Sequence, residues 1–276
     1  MAETELIYSY DAGKKRPAAL DELKDLIRYR NLIVLMVRRD LVARYKRSVL
    51  GVAWTMLNPL GMLVVLSIVF SQMMKVGRGF PVYILTGLVA WNFFALGSSD
   101  SMTNLIGGVG LRQRVYMPST VFAITAIGNG LVNIVLSLVP LILVMLVTNT
   151  PIHWSILFFP IPTLILACFT LGVGLLISTA AVYFRDITAM YSIILTAWLY
   201  LNPIIYPENY LPPNLAFWLS HLNPMFEIVR IFRMPIYDGI IPSFRLLWPP
   251  AVVSIVVLSI GWFIFTRKAD EFAYRI

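Results

Sequence analysis

Six apolar stretches, near 51–74, 82–103, 119–147, 156–183, 187–206 and 247–266, set the terms for this chain. A hydrocarbon core of about 30 Å takes about 20 mostly apolar residues in helical form, and each stretch is of that order. The expected fold is therefore all-α and integral to a membrane, with six transmembrane helices and both termini on one side. Hydrophobic residues at 59%, charged residues at 13% and a mean hydropathy of +0.78 exclude an ordinary soluble domain.

The basic residues orient the spans. Seventeen of the 22 Lys and Arg fall on one side: eleven before Gly51, then Arg112 and Arg114, Arg185, and Arg267, Lys268 and Arg275. Lys75, Arg78, Arg230, Arg233 and Arg245 fall on the other. By the positive-inside bias the N-terminus, residues 104–118, Arg185 and the C-terminus are expected in the cytoplasm. The net charge of +8 lies beside apolar spans, with no zinc-ligand spacing or RNA-binding signature, so anionic lipid rather than nucleic acid is the expected partner. Glu3, Glu5 and Asp11 precede any apolar core, so no removable signal peptide is expected.

Between and before the spans lie three other elements. Residues 1–19 read as a cytoplasmic tail and 20–49 as an interfacial amphipathic helix, whose run Leu32–Val37 is apolar all round but too short to cross. Within it Asp40 and Arg44 stand at i, i+4, the spacing of a surface pair. Residues 104–118 carry three glycines, enough chain for about two helical turns and then Pro118, which reads as a short cytoplasmic helix. Its Arg112 and Arg114 either anchor topology or touch a partner. The segment from Tyr206 to Leu246 holds six prolines and two apolar runs, 215–222 and 226–236, too short to cross; re-entrant helices on the outer side account for both. Pro203, after Asn202, is expected to kink the end of the fifth span.

Catalytic chemistry finds little support. Cys168 is the only cysteine, and His153 and His221 are lone residues in separate outer segments. Glu208, Glu227 and Asp238 share the outer loop at spacings that define no acid–base pair. No catalytic or metal site is expected, and no resident cofactor. An ion-coupled transporter would need ionisable residues inside the spans, and Asp100 is nearly alone there.

A family resemblance emerges from the motifs in order. The segment Arg39-Asp40-x3-Arg44-Tyr45-Lys46-x-Ser48-Val49-Leu50-Gly51-x2-Trp54-x4-Pro59 resembles the opening motif of ABC-2-type polysaccharide export permeases, the membrane subunits that export O-antigen, capsule or teichoic acid. Gly87-x3-Trp91-x2-Phe94, Leu111-x-Gln113-Arg114-Val115-Tyr116-x-Pro118, Tyr183-Phe184-Arg185-Asp186, Asn202-Pro203-Ile204-Ile205-Tyr206-Pro207 and Leu222-Asn223-Pro224 continue it. Each motif is weak alone; their order and loop placement make the set specific.

The resemblance implies a type V exporter-like transmembrane domain over residues 50–276, multi-pass in the cytoplasmic (inner) membrane and working as a homodimer with two ATP-binding cassette subunits. It makes 20–49 a gate helix, 104–118 a coupling helix that meets the ATPase through Leu111, Arg112, Gln113, Arg114 and Tyr116, and 207–240 the outer re-entrant pair. This chain has no G-x-x-x-x-G-K-[ST] loop, so ATP and Mg are expected on the partner. The implied cargo is a polyprenyl-diphosphate-linked glycan. Arg38, Arg39, Arg44, Lys46 and Arg47 are then suited to meet its diphosphate, and Trp54, Trp91, Phe94, Trp198 and Tyr200 to line the channel. Aromatics also collect at membrane interfaces and in cores. The competing readings are an integral-membrane enzyme that modifies a lipid-linked glycan and an ATP-independent transporter.

Overall fold

The computed structural model of the chain describes residues 18–46, 51, 53–74, 77, 79–108 and 117–275. They are helical, with no strand among them. In chain order the elements are α1 (Ala18–Arg28), α2 (Arg30–Tyr45), α3 (Ala53–Met74), α4 (Phe80–Gly107) and α5 (Thr120–Val147). A 3-10 turn, Trp154–Phe158, leads into α6 (Pro160–Tyr183), followed by α7 (Ile187–Tyr200), α8 (Pro213–Leu222) and α9 (Pro224–Arg233). A π turn at Met234–Asp238 precedes α10 (Phe244–Lys268), and α11 (Phe272–Arg275) closes the chain.

Four helical segments are long and apolar enough to cross a membrane: Phe80–Gly107, Thr120–Val147, Trp154–Tyr183 and Phe244–Glu271. The other two expected spans are shorter as apolar helices, Pro59–Val69 within α3 and Ile187–Tyr200. At 1.5 Å per residue the 14 residues of α7 reach about 21 Å. The helix expected over 187–206 stops at Tyr200 because Pro203 has no N–H to continue it. The interfacial helix expected over 20–49 is divided in two at Tyr29, which leaves the helical conformation at φ −90° and ψ 13°.

Prolines and an asparagine set the other helix starts. Pro160, Pro213 and Pro224 each occupy the first helical position, where a missing N–H costs nothing. Asn223 caps α9 by accepting from the Met225 backbone N–H at 3.2 Å. Gly239, at φ +67°, ends the π turn; there a side chain would be strained and its Cβ would meet the His153 ring at 2.3 Å.

Around α4, the most enclosed of the spans, α5, α6 and α9 assemble the main core, with Phe94, Ile84, Leu85, Leu166, Ile228 and Phe232 wholly buried. Lipid tails are as apolar as leucine, so packing and hydrogen bonds rather than the hydrophobic effect hold spans together. The tightest seam is α6 against α10, where a Cβ on Gly172 would sit 2.6 Å from the Leu258 backbone nitrogen and one on Gly261 would sit 2.5 Å from the Gly172 carbonyl oxygen. Polar side chains within the spans largely bond their own helix: Ser101 donates to Gly97 O at 2.7 Å, Thr170 to Leu166 O at 2.7 Å and Ser178 to Gly174 O at 2.6 Å. Tyr191 is an exception, tying α7 to α4 through the Ser98 hydroxyl at 2.6 Å.

Candidate functional site

Two polar clusters stand at opposite ends of the bundle. The first surrounds α2. Its close approach to α5 depends on Gly128, where a Cβ would meet Val37 Cγ2 at 2.8 Å. One residue further, Asn129 Nδ2 donates to Asp40 Oδ2 at 3.2 Å, while Asp40 Oδ1 accepts from Arg39 Nη2 at 2.8 Å and Nε at 3.1 Å. Asp40, which stands at i, i+4 from Arg44, joins its neighbour Arg39 to α5. The side chain of Arg44, all of Arg47, and Leu111, Arg112, Gln113, Arg114 and Tyr116 lie outside the described residues. Arg38, Arg39 and Lys46 are exposed. A cavity of about 290 Å³ opens beside Arg39, bounded by Met36, Arg39 and Asp40 of α2, Thr103 and Asn104 of α4, and Phe122 of α5.

At this same end Glu22 of α1 accepts from the Thr120 hydroxyl at 3.1 Å and from the Thr120 N–H at 3.4 Å. Its carboxylate satisfies an orphan donor of the first turn of α5 and faces the positive end of the helix dipole. Burial raises the Glu22 carboxyl above its ordinary value, and the two bonds from Thr120 oppose the rise. The folded state therefore binds the proton more tightly than the unfolded chain, so this group's contribution is fully present below the ordinary carboxylate range and is lost as pH rises through the raised value. Glu22→Gln keeps a carbonyl acceptor for Thr120 and removes the titration. We expect its apparent Tm to match or exceed the parent's at pH 7 and its Tm-against-pH curve to be flatter above pH 4.5. A steeper curve, measured on the purified protein in nanodiscs, would sink this account.

The second cluster lies where α7 breaks. Asn202, Pro203, Ile204 and Ile205 are buried in non-helical conformation, which at membrane depth is tolerated where the backbone is buried in protein. Side chains from elsewhere in the chain serve the Pro203 and Tyr206 carbonyls. Tyr83 of α4 shares its hydroxyl between Pro203 O at 2.9 Å and Tyr206 O at 3.2 Å, and Arg233 Nη2 donates to Pro203 O at 2.8 Å. Asn202 Nδ2 donates to Trp198 O at 2.6 Å. Asn223, besides capping α9, accepts from Trp198 Nε1 at 2.8 Å and donates to Asn202 Oδ1 at 3.0 Å. The two Asn-Pro motifs of the sequence thus meet side chain to side chain.

Arg233, which by position counted as an outer topology charge, is only 5% exposed and rests its guanidinium 3.5 Å from the centre of the Tyr83 ring. Among the described residues it has no ion pair, and its Nε has no partner. Of the three outer-loop carboxylates, Glu208 and Glu227 lie 3.7 Å and 3.6 Å from its neighbour Arg230. Gly87 makes the space, since a Cβ there would sit 2.6 Å from Arg233 Nη2 and 3.3 Å from the Ile204 Cα.

The five aromatics singled out for a channel divide. Trp91 at 5% and Phe94 at 0% exposure pack within the subunit, against each other at 5.5 Å, against Trp198 at 6.3 and 5.1 Å and, for Phe94, against Phe169 at 5.5 Å. Neither ring has a free face for a solute. Their chemistry is helix packing, with edge-to-face contacts each contributing about 0.5–1.5 kcal/mol. Trp198 is half-buried by the same cluster. Trp54 at 55% and Tyr200 at 60% are exposed.

Sequence reasoning missed Tyr83, Asn129, Glu22 and Arg233 as joints. For Arg233 a signal existed: it interrupts the apolar run 226–236, and α9 buries Phe226, Ile228, Val229, Ile231 and Phe232 completely.

Comparison with known proteins adds to this geometry. The family model described as ABC-2 type transporter matches residues 31–237. The O-antigen export system permease protein RfbA of Myxococcus xanthus is 32% identical over 258 residues, which cover 92% of this chain and 98% of that protein. A Klebsiella pneumoniae protein of the same description is 25% identical over 246 residues, covering 88% and 94%. The polysialic acid transport protein KpsM of Escherichia coli is 25% identical over 250 residues, covering 84% and 91%.

Proposed function

The chain belongs to the ABC-2 type transporter family, and from that premise we propose that it is the membrane permease subunit of an ATP-driven exporter carrying an O-antigen-like, lipid-linked polysaccharide across the cytoplasmic membrane. The observation that carries the reading is the 32% identity to an O-antigen export permease along 92% of this chain and 98% of that protein. Two copies cross the membrane six times each, with both termini in the cytoplasm, and two separate ATPase subunits bind ATP and Mg. Residues 20–49 form the gate and 104–118 the coupling element, whose Leu111, Arg112, Gln113, Arg114 and Tyr116 meet the ATPase.

The cargo's chemistry supports this division of labour. A glycan and its diphosphate cannot enter hydrocarbon unaided. Arg38, Arg39 and Lys46, with Arg44 and Arg47 beside them in sequence, meet the diphosphate at the cytoplasmic mouth. Arg39 is exposed while Asp40 is partly buried and held by Asn129, and with one partner in water the pair contributes about 1 kcal/mol, so a multiply charged phosphate competes with Asp40 for Arg39. Trp54 and Tyr200, which keep free faces, stack on sugar rings along the path.

The test is to purify the chain with the ATPase of its genomic neighbour, reconstitute both in vesicles, and follow ATP hydrolysis and glycan export together. Reversing the charge of Arg112 and Arg114 is expected to lower export and disturb the ATPase rate or complex stability with the membrane level of the chain unchanged. Normal export and normal ATPase coupling in that double variant would make the two arginines topology anchors only. A wild-type complex that moves no lipid-linked glycan would overturn the function itself.

A further inference from the structure

Arg233 is a buried cation that the export reading leaves without a task. Its partners are all neutral: the Tyr83 ring at 3.5 Å and the Pro203 carbonyl at 2.8 Å. The carboxylates of Glu208 and Glu227 are engaged by Arg230 on the same helix, Asp238 feels the Arg233 charge but forms no ion pair with it among the described residues, and Arg233 Nε has no partner among them. A cation matched to a carboxylate in a dry interior would act as a permanent staple, because parting the pair leaves two uncompensated charges. One held by a ring and a carbonyl is stabilised enough to remain buried yet parts without stranding an acid.

Three elements converge on that one group. Tyr83 and the space over Gly87 belong to α4, Pro203 to the broken end of α7, and Arg233 to the end of α9. The carbonyl it holds lies in non-helical backbone, so releasing it disrupts no helix. Tyr83 is braced in turn by Tyr237 of the following π turn, edge to face at 5.4 Å.

We propose that Arg233 is the positioning residue of the exporter's outer exit: its contact with Tyr83 and Pro203 holds the α8–α9 hairpin shut against α4 and the end of α7, and the exit opens when that contact parts. The export reading supplies what passes through; the contact and its test stand without it. Lysine keeps the charge but has neither a planar face for the ring nor a fork to reach ring and carbonyl together. Arg233→Lys therefore leaves the hairpin ajar.

Ile204, wholly buried beside Gly87, reports the state of the contact. In a Cys168→Ser, Ile204→Cys background, a membrane-impermeant maleimide added from outside is expected to leave the Arg233 parent almost unlabelled. Arg233→Lys and Tyr83→Leu are expected to label about tenfold faster at equal membrane abundance and equal elution on gel filtration, the loss of about one hydrogen bond in the open–closed balance. Tyr83→Phe, which loses the hydroxyl and keeps the ring, should fall between them, and it carries the test if Arg233 variants do not accumulate. In the reconstituted complex, Arg233→Lys should keep ATPase activity while exporting less glycan per ATP. Rapid labelling of the parent, parent-like labelling of all three variants, or labelling that rises only as protein is lost would each overturn the proposal. The labelling needs no substrate, so a parent complex that exports nothing would refute the export reading alone.

Discussion

Replacing Asn223 with alanine should destabilise the protein by about 3 kcal/mol, more than a hundredfold in the folded-to-unfolded ratio. One side chain caps α9 at the Met225 N–H, accepts the indole N–H of Trp198, and donates to Asn202 Oδ1 at 3.0 Å and to Leu201 O at 3.4 Å. Alanine removes the cap, which by itself contributes about 1 kcal/mol, and leaves the buried Asn202 oxygen and the indole unserved, each at about 1–3 kcal/mol. Asn223→Ser restores an acceptor for the cap and cannot span to Asn202, so about a third of the loss should return. Both are read from the apparent Tm of the purified protein and from surface glycan normalised to membrane abundance. An Asn223→Ala protein within about 0.5 kcal/mol of the parent and exporting normally would mean that the Asn-Pro meeting point does not hold the break in α7.

A leucine at Gly172 should be as damaging, for a reason of space rather than polarity. The new Cβ would fall 2.6 Å from the Leu258 nitrogen, 2.7 Å from the Leu258 Cα and 2.7 Å from the Val257 carbonyl carbon. All three are backbone atoms that no rotamer change can move aside. Either α6 and α10 separate along their length, forfeiting contacts of about 0.1–0.2 kcal/mol per atom pair, or the seam stays and the helices bend. Overpacking typically costs about 1–3 kcal/mol, and with backbone on both sides the upper end is expected. Gly61→Ala is the matched control. Nothing among the described residues lies within 4 Å of its added methyl, and an alanine in a helix interior should gain about 0.5–1 kcal/mol over glycine. Heating both in detergent and measuring the monodisperse fraction should separate them in opposite directions from the parent. A Gly172→Leu protein as robust as Gly61→Ala would show that the α6–α10 seam has slack.

The contrast between these two glycines shows what the sequence could and could not reveal. Long apolar runs identify the helices, because length and composition alone mark them and Pro203 marks where α7 stops. Nothing in the runs identifies their faces. In a soluble protein Trp91 and Phe94 would stand out as core against a polar opposite face, but here apolar residues meet lipid and protein alike, so a packed ring and an exposed one look the same. The hydropathy pattern likewise does not distinguish Gly61, open to its surroundings, from Gly172, pressed against backbone. The family motifs fared better: Gly87, Asn202-Pro203 and Asn223-Pro224 lie far apart in sequence and meet in one knot. Tyr83 and Arg233, which complete it, belong to no motif. Their roles come from a pairing across the chain that local pattern cannot express.

That pairing also bears on how the protein is made. Arg233 leaves water only into a site built by Tyr83 and Pro203, residues that precede it in the chain, and a guanidinium in lipid without those partners is costly. The hairpin that carries it is therefore expected to settle only once α4 and α7 are seated side by side. Under the proposed topology, a chain caught before α4 and α7 have met should show that hairpin unburied and open to a protease added from outside, and the mature protein should not.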